Sequence, residues 1–316
     1  MNKLKVCFAG IGSMAKRHIK NLWEICYEKG IELTIDALRR SISEILDERT
    51  RQYIQHIYGQ GELLPEDYDI IFITNPTDFH IETLKKLHEK GTHFFIEKPL
   101  TSLRNVGDVF SVQCRNDSVY YVACPLRYTE VIQYLKKNIS IEDVIAVRCI
   151  CSSYLPDWRP GVDYRKTYSA SKELGGGVSI DLIHEWDYIG YLFGSPDKIY
   201  YTAGKKSALE LDCEDYAFYI ADYADKVIEL HLDYFGRKSI REIMLFTNED
   251  TVIGDINNSR ISFLHQGKEI IFQEKRDDYQ KKELCHFLDM IEGKTICDNT
   301  INDAYHTLLW SQGEVK

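Results

Sequence analysis

Lys98, Asp181 and His184 are the side chains of this 316-residue chain best suited to move a proton on a small polar substrate. Lys98 follows an apolar run, His93-Phe94-Phe95-Ile96, that reads as a short buried strand. Pro99 behind it fixes the local backbone and biases the lysine towards an extended conformation. An ammonium at the carboxyl end of a parallel strand stands where open α/β sheets bind ligands, and it can hydrogen-bond a substrate oxygen. Asp181, His184 and Tyr188 recur at i, i+3 and i+7 in a stretch, 178–193, whose pattern predicts one helix, so they are expected on a common face. Leu182, Trp186, Ile189 and Phe193 form a separate apolar stripe that would anchor that helix. The run Gly175-Gly176-Gly177 precedes it, which places Asp181 and His184 in its first turns. There the helix dipole favours a carboxylate and a neutral imidazole, and a neutral imidazole is what a general base near neutral pH requires.

A second chemical signal is the turn Gly10-Ile11-Gly12-Ser13-Met14-Ala15, a G-x-G-x-x-A after one strand-like run and before a helical one. Gly10 permits a tight turn, Gly12 lets backbone approach a pyrophosphate, and Ala15 allows close helix–strand packing, with the helix N-terminus facing the phosphates. An NAD-binding unit places an acidic residue at the end of its second strand, but here that strand runs into Arg39-Arg40-Ser41, and Asp36 comes two residues too early. Two guanidiniums and a hydroxyl suit a ribose 2′-phosphate, so NADP(H) is the favoured cofactor, with NAD(H) possible.

These groups need a frame. Over about the first 120 residues, strand-like runs (4–9, 33–38, 68–74, 93–96, 120–123) alternate with helical ones (14–28, 42–55, 80–90), the pattern of a doubly wound parallel sheet, the α/β Rossmann architecture. From residue 124 the pattern becomes β-rich: 143–153, 198–203, 215–222, 227–235 and 242–247, with hairpins near Asn257-Asn258 and Gln266-Gly267. Helices are expected at 130–137, 178–193, 278–292 and 302–310. The expected architecture is a dinucleotide-binding domain, 1–123, followed by an α+β domain, 124–316, built on a mainly antiparallel, open-faced sheet. A helix-free face of such a sheet would favour a homo-oligomer, a dimer or tetramer.

Several of these pieces together resemble the glucose–fructose oxidoreductase / inositol dehydrogenase (Gfo/Idh/MocA) family: Thr74-Asn75-Pro76-Thr77-Asp78-Phe79-His80, Glu97-Lys98-Pro99, Arg127 in Pro125-Leu126-Arg127-Tyr128, and the segment from Gly175 to Asp187. The likeness runs along the whole chain. It implies cofactor contacts from Gly10, Gly12, Ser13, Met14, Ala15, Thr74, Asn75, Pro76, His80, Glu97 and Lys98, and substrate contacts from Lys98, Arg127, Asp181 and His184, with Lys98 touching the reacting hydroxyl. Many relatives separate the Asp and His by four residues, whereas here the interval is three. Asp157-Trp158-Arg159-Pro160-Gly161 with Asp163-Tyr164-Arg165 resembles a branch associated with surface-sugar biosynthesis. Trp158, Tyr164 and Tyr168 offer faces for sugar C–H surfaces, and Arg159 and Arg165 could hold a carboxylate or phosphate, so Trp158, Tyr164 and Arg165 join the expected substrate site.

The expectation is therefore an NAD(P)-dependent oxidoreductase moving a hydride between nicotinamide and a carbinol or carbonyl carbon of a sugar, nucleotide sugar or cyclitol. A cofactor-binding sensor without catalysis is one rival, although it has no need of Lys98, Asp181 and His184 together, and a family member reducing a non-sugar substrate, an imine, enol or dihydrodiol, is another. A methyltransferase shares the first strand–turn–helix but not the later strand ends. A net charge of -10 argues against nucleic acid. No run approaches the ~18 apolar residues of a membrane span. The first residues enter a strand directly, without an apolar leader, and the nine cysteines show no C-x-x-C pair, so a cytoplasmic protein with reduced thiols is expected. No metal is expected: Tyr188 stands where H-E-x-x-H needs its second histidine, and His80, His88 and His93 lack a ligand geometry.

Overall fold

The computed structural model describes residues 1–40, 46–59 and 61–315. It divides the chain into two compact units, Met1–Ala123 with Arg276–Tyr305, and Cys124–Lys275 with His306–Lys316.

The first unit begins β1 (Lys3–Ala9), α1 (Ser13–Lys29), β2 (Glu32–Leu38), α2 (Glu48–Arg51), β3 (His56–Tyr58), β4 (Tyr68–Ile73), α3 (His80–Leu87), β5 (Gly91–Ile96) and β6 (Tyr120–Val122). All strand pairs are parallel, in the order β3-β2-β1-β4-β5-β6, as in dinucleotide-binding sheets. The central strands are continuous apolar runs because helices cover both faces; Phe8, Phe72 and Phe95 are fully buried. Phe8 stacks on Phe72 with ring centroids 4.3 Å apart. Of the helix expected over 42–55 the described residues show α2, whose Asp47 cap accepts the Thr50 N–H; 41–45 lie outside the described residues. β3 was not expected, since three residues are too few to show a periodicity.

The second unit contains α4 (Glu130–Asn138), β7 (Val144–Tyr154), α5 (Val178–Asp181), α6 (His184–Phe193), β8 (Lys198–Gly204), β9 (Tyr216–Asp222), β10 (Val227–Asp233), β11 (Phe235–Thr247), β12 (Thr251–Asp255), β13 (Arg260–Phe263) and β14 (Lys268–Ile271). They form one sheet, β14-β13-β12-β11-β7-β10-β9-β8, antiparallel except where β7 meets β10. Residues alternate between a face buried under the helices and an outer one, where Ile220, Val227 and Phe246 stay 42%, 41% and 37% exposed.

Two expectations need correction. The chain does not end within one continuous second domain: α7 (Arg276–Ile291) returns to the first unit, and α8 (Ile301–Trp310) spans the division. α7 is drawn back by its apolar stripe, in which Leu284, Phe287, Leu288 and Met290 are buried and Phe287 meets the rings of Phe95 and Tyr121 at 5.3 and 5.7 Å. Nor is 178–193 one helix. Leu182 takes φ -96° and ψ 27°, ending α5, and α6 starts two residues later at His184. Leu182 and Ile183, at the break, are both buried, as are 178–181 before it and 185–189 after it, whereas His184 is not. Among the described residues no helix is long and apolar enough to cross a membrane.

Candidate functional site

In the first unit the strand order reverses between β1 and β4, and the glycine turn lies at their carboxyl ends. The Thr74 backbone N–H donates to the Ala9 carbonyl at 3.0 Å, and its hydroxyl to the Gly10 carbonyl at 2.7 Å, so the residue after β4 clamps the turn after β1. Gly10 has φ +97°, and a Cβ there would lie 2.6 Å from the Asn75 Cα, so the turn requires glycine for both conformation and approach. Gly12 caps α1 without a side-chain hydrogen bond, the first turn of α1 carries no acidic residue, and a Cβ at Gly12 would meet nothing within 4 Å. Open backbone N–H groups at a helix N-terminus without a competing carboxylate fit a pyrophosphate. Ser13 is exposed and Met14 half-buried at that rim, while Ala15 is buried against the sheet.

At the end of β2, Arg40 is exposed and Arg39 half-buried; Ser41 lies outside the described residues. Asp36 is committed elsewhere, accepting the His56 N–H at 3.1 Å and the Tyr68 hydroxyl at 2.8 Å. Its carboxylate is therefore occupied within the fold, as its early position implied.

The ends of β4 and β5 are tied to each other by His80. Its Nδ1 lies 3.0 Å from the Pro99 carbonyl and its Nε2 2.9 Å from the Asn75 carbonyl. Burial dominates and holds this imidazole below its ordinary pKa, although the carbonyls and the Glu97 charge oppose. His80 is buried between the two loops with its ring nitrogens facing the two carbonyls, and a neutral ring donates to one of them. Asn75 is half-buried with its amide on the Thr83 hydroxyl at 2.7 Å, and Pro76 is exposed beside it. Glu97 is buried with Oε1 2.5 Å from His18 Nε2, and its Oε2 accepts the Lys98 backbone N–H at 3.2 Å. Lys98 itself is half-buried and is followed by a cis bond to Pro99.

In the second unit Asp181 is buried at the end of α5, where Oδ2 accepts the Tyr234 hydroxyl at 2.7 Å. Burial, and then the Asp181 charge, push the Tyr234 phenol well above its usual range, so it remains a donor. Tyr168, nearly half-exposed, feels the same carboxylate: burial first and the Asp181 charge second push it up to about 12, with Arg159 over its ring at 5.2 Å opposing. Trp158 sets its edge on Tyr234 at 5.3 Å and donates Nε1–H to Ser153 at 2.9 Å. His184 opens α6, half-buried. The glycine run serves close packing: a Cβ at Gly176 would sit 2.0 Å from the Tyr168 carbonyl oxygen. Asp181, Trp158, Arg159 and Tyr168 are thus gathered within this unit around Tyr234, and His184 follows Asp181 by three residues at the start of α6.

Four expected residues have contacts of their own within the fold. Tyr188, assigned to the face of Asp181 and His184, is fully buried beside Cys149 and Glu185, and burial holds its phenol well above its usual range. The break after α5 turns it towards the sheet. Arg127 is buried, with Nε and Nη2 donating to Asp187 at 2.9 and 2.8 Å and its guanidinium over Tyr191 at 5.0 Å. Tyr164 accepts the Glu210 N–H at 3.0 Å, and exposed Arg165 pairs with Asp163 at 2.9 Å. Sequence reasoning overlooked Tyr234 and His18. Tyr234 is remote in sequence and carries no local signal, but a histidine among Ala15, Ile19 and Leu22 on the buried stripe of α1 could have been noticed. Among the described residues, no three His, Cys, Asp or Glu side chains are grouped to hold a metal.

Residues 4–123 match the family described as oxidoreductase family, NAD-binding Rossmann fold (GFO_IDH_MocA). The uncharacterized oxidoreductase YrbE of Bacillus subtilis is 25% identical over 197 residues, 62% of this chain and 55% of that protein. The chain spans about half the length, or less, of the curated relatives it matches. Levoglucosan dehydrogenase, solved with NADH and levoglucosan, superposes with a TM-score of 0.83 at 16% identity, covering 98% of this chain and 96% of that one. UDP-N-acetylglucosamine 3-dehydrogenase from Acidithiobacillus ferrooxidans gives 0.75 at 17% identity, covering 99% and 96%. The parallel sheet, the open glycine turn at its switch point and this match lead to one conclusion: residues 4–123 are an NAD-binding Rossmann domain of the Gfo/Idh/MocA oxidoreductase family.

Proposed function

We propose that the protein is an NAD(P)-dependent oxidoreductase acting on a CH–OH carbon, or the corresponding carbonyl, of a sugar, nucleotide sugar or cyclitol. The observation that carries this reading is the open turn at Gly10–Gly12 in the same sheet whose β5 leads into Lys98, two residues past its end. The uncapped N-terminus of α1 binds the pyrophosphate, and a bound nicotinamide dinucleotide supplies the hydride carrier. Lys98 holds and polarises the reacting oxygen. His184 takes or returns the hydroxyl proton, and Asp181, kept in place by Tyr234, orients His184 or a neighbouring substrate hydroxyl. Trp158 and Tyr168 offer aromatic surface to a sugar ring, with Arg159 beside them. The sugar-type substrate is supported by structures of the same fold that act on levoglucosan and UDP-N-acetylglucosamine. Incubation with NAD or NADP and a panel of sugars, nucleotide sugars and cyclitols tests it; reduction of neither cofactor by any of them would count against it.

NADP(H) is the preferred cofactor in this reading, because Arg39 and Arg40 stand where an acidic residue would repel a 2′-phosphate. The expected kcat/KM for NADP(H) exceeds that for NAD(H) by about tenfold or more, the worth of one good charge-assisted contact. Equal or reversed preference in steady-state kinetics sinks this assignment. The exposed Ile220, Val227 and Phe246 support a homo-oligomer through the outer face of the second unit's sheet. Light scattering is expected to return a multiple of the chain mass, and a monomer would contradict it. A cytoplasmic location accords with nine cysteines of which none forms a disulfide among the described residues.

A further inference from the structure

His18 and Glu97 form a pair that a surface role does not explain. His18 is 1% exposed and Glu97 8%, and Nε2 and Oε1 are 2.5 Å apart. The imidazole lies among aromatic rings, 5.0 Å from Phe95 and 6.2 Å from Phe72, and its Nδ1 is buried without a hydrogen-bond partner. Burying a carboxylate and leaving a ring nitrogen unmet both cost free energy, and two apolar side chains would fill such a place more favourably. What the carboxylate does instead is reach Lys98: its second oxygen accepts the Lys98 backbone N–H at 3.2 Å. His18 on α1, His80 on α3 and Lys98 at the same strand end are the charged or titratable groups that act on Glu97. Burial alone would push the Glu97 carboxyl up, yet the hydrogen bond from His18, with the His18 and Lys98 charges, holds it below the ordinary range. Coupling is reciprocal, so a carboxylate that Lys98 stabilises must in turn stabilise the ammonium form of Lys98.

We propose that the buried His18–Glu97 pair is a positioning element for Lys98, in which His18 holds Glu97 in place and Glu97 fixes the Lys98 backbone and keeps its side chain an ammonium. The proposal rests on the reading of Lys98 as the residue that polarises substrate, and it extends that reading to two residues that touch neither substrate nor reacting atom. His18 acts through Glu97, and Glu97 through Lys98. A neutral amine at Lys98 could accept but would polarise a carbonyl oxygen far less, so the pair governs which form meets the substrate.

Trace acetylation of the full-length protein with acetic anhydride across pH, read lysine by lysine by mass spectrometry, tests this without any substrate. Exposed Lys85 and Lys86 serve as internal references. In Glu97→Gln, which keeps the shape and removes the charge, the labelling midpoint of Lys98 is expected to fall by about one pH unit or more, the usual effect of losing a nearby opposite charge. Mere loosening of the loop would raise the final extent of labelling and leave the midpoint where it was. In His18→Leu, which unties Glu97 without removing its charge at the pH of lysine labelling, the final extent of Lys98 labelling is expected to rise, and His18→Gln, which keeps a donor for Glu97, is expected to restore the wild-type extent. A wild-type midpoint in folded Glu97→Gln, or a wild-type extent in folded His18→Leu, overturns the proposal. Failure of the underlying reading is seen separately, as near-normal turnover in Lys98→Met.

Discussion

Replacing Lys98 by Met, or His184 by Ala, is expected to lower turnover by roughly two to four orders of magnitude, the usual worth of a positioned acid–base group, while cofactor binding survives. The two substitutions remove different contributions. Lys98→Met keeps the apolar stem beside Pro99 and deletes the charge that the proposed function sets against the reacting oxygen. His184→Ala leaves the α6 apolar stripe intact, since Trp186, Ile189 and Leu192 supply its burial. Neither residue belongs to the glycine turn, so fluorescence titration with NADPH is expected to give a dissociation constant within a few-fold of wild type. Near-normal turnover in both variants would rule out this division of labour and favour a sensor that binds cofactor without using it.

Arg127→Met is expected to be among the most destabilising single changes in the second unit, on the order of 3–5 kcal/mol, read as a lowered urea midpoint. The bidentate pair with Asp187 is buried, and removing the guanidinium leaves that carboxylate without its charge partner. Adding Asp187→Leu to Arg127→Met is therefore expected to recover much of the loss, because an absent pair costs less than half a pair. The family resemblance had placed Arg127 against substrate. If Arg127→Met instead kept its stability and raised KM, the substrate contact that the resemblance implies would be its main role.

What could be read in the sequence follows from the range over which each signal acts. The parallel sheet was legible because β1, β2, β4 and β5 are apolar runs separated by turn residues, all local features. The glycine turn was legible because its chemistry is contained in six consecutive residues, Gly10 to Ala15. Tertiary context decided the rest. Periodicity in 178–193 reported helix correctly on both sides of Leu182 but carried no sign of the break, so the shared face of Asp181, His184 and Tyr188 was lost there. The return of α7 to the first unit depends on a face for Phe287 formed by Phe95 and Tyr121, more than 150 residues earlier. The resemblance implies cofactor contacts for His80 and Glu97; that one lies between two loop carbonyls and the other pairs with His18 becomes visible only when α1, β4 and β5 are set side by side.

The most direct test of the central claim follows the hydride itself. The protein is incubated with NADP, or with NAD, and with the panel sugars deuterated at their carbinol carbons, and the reduced cofactor is recovered for mass spectrometry. Direct transfer predicts deuterium at nicotinamide C4 and none released to water. Deuterium lost to solvent, or no reduced cofactor with any member of the panel, would contradict the account.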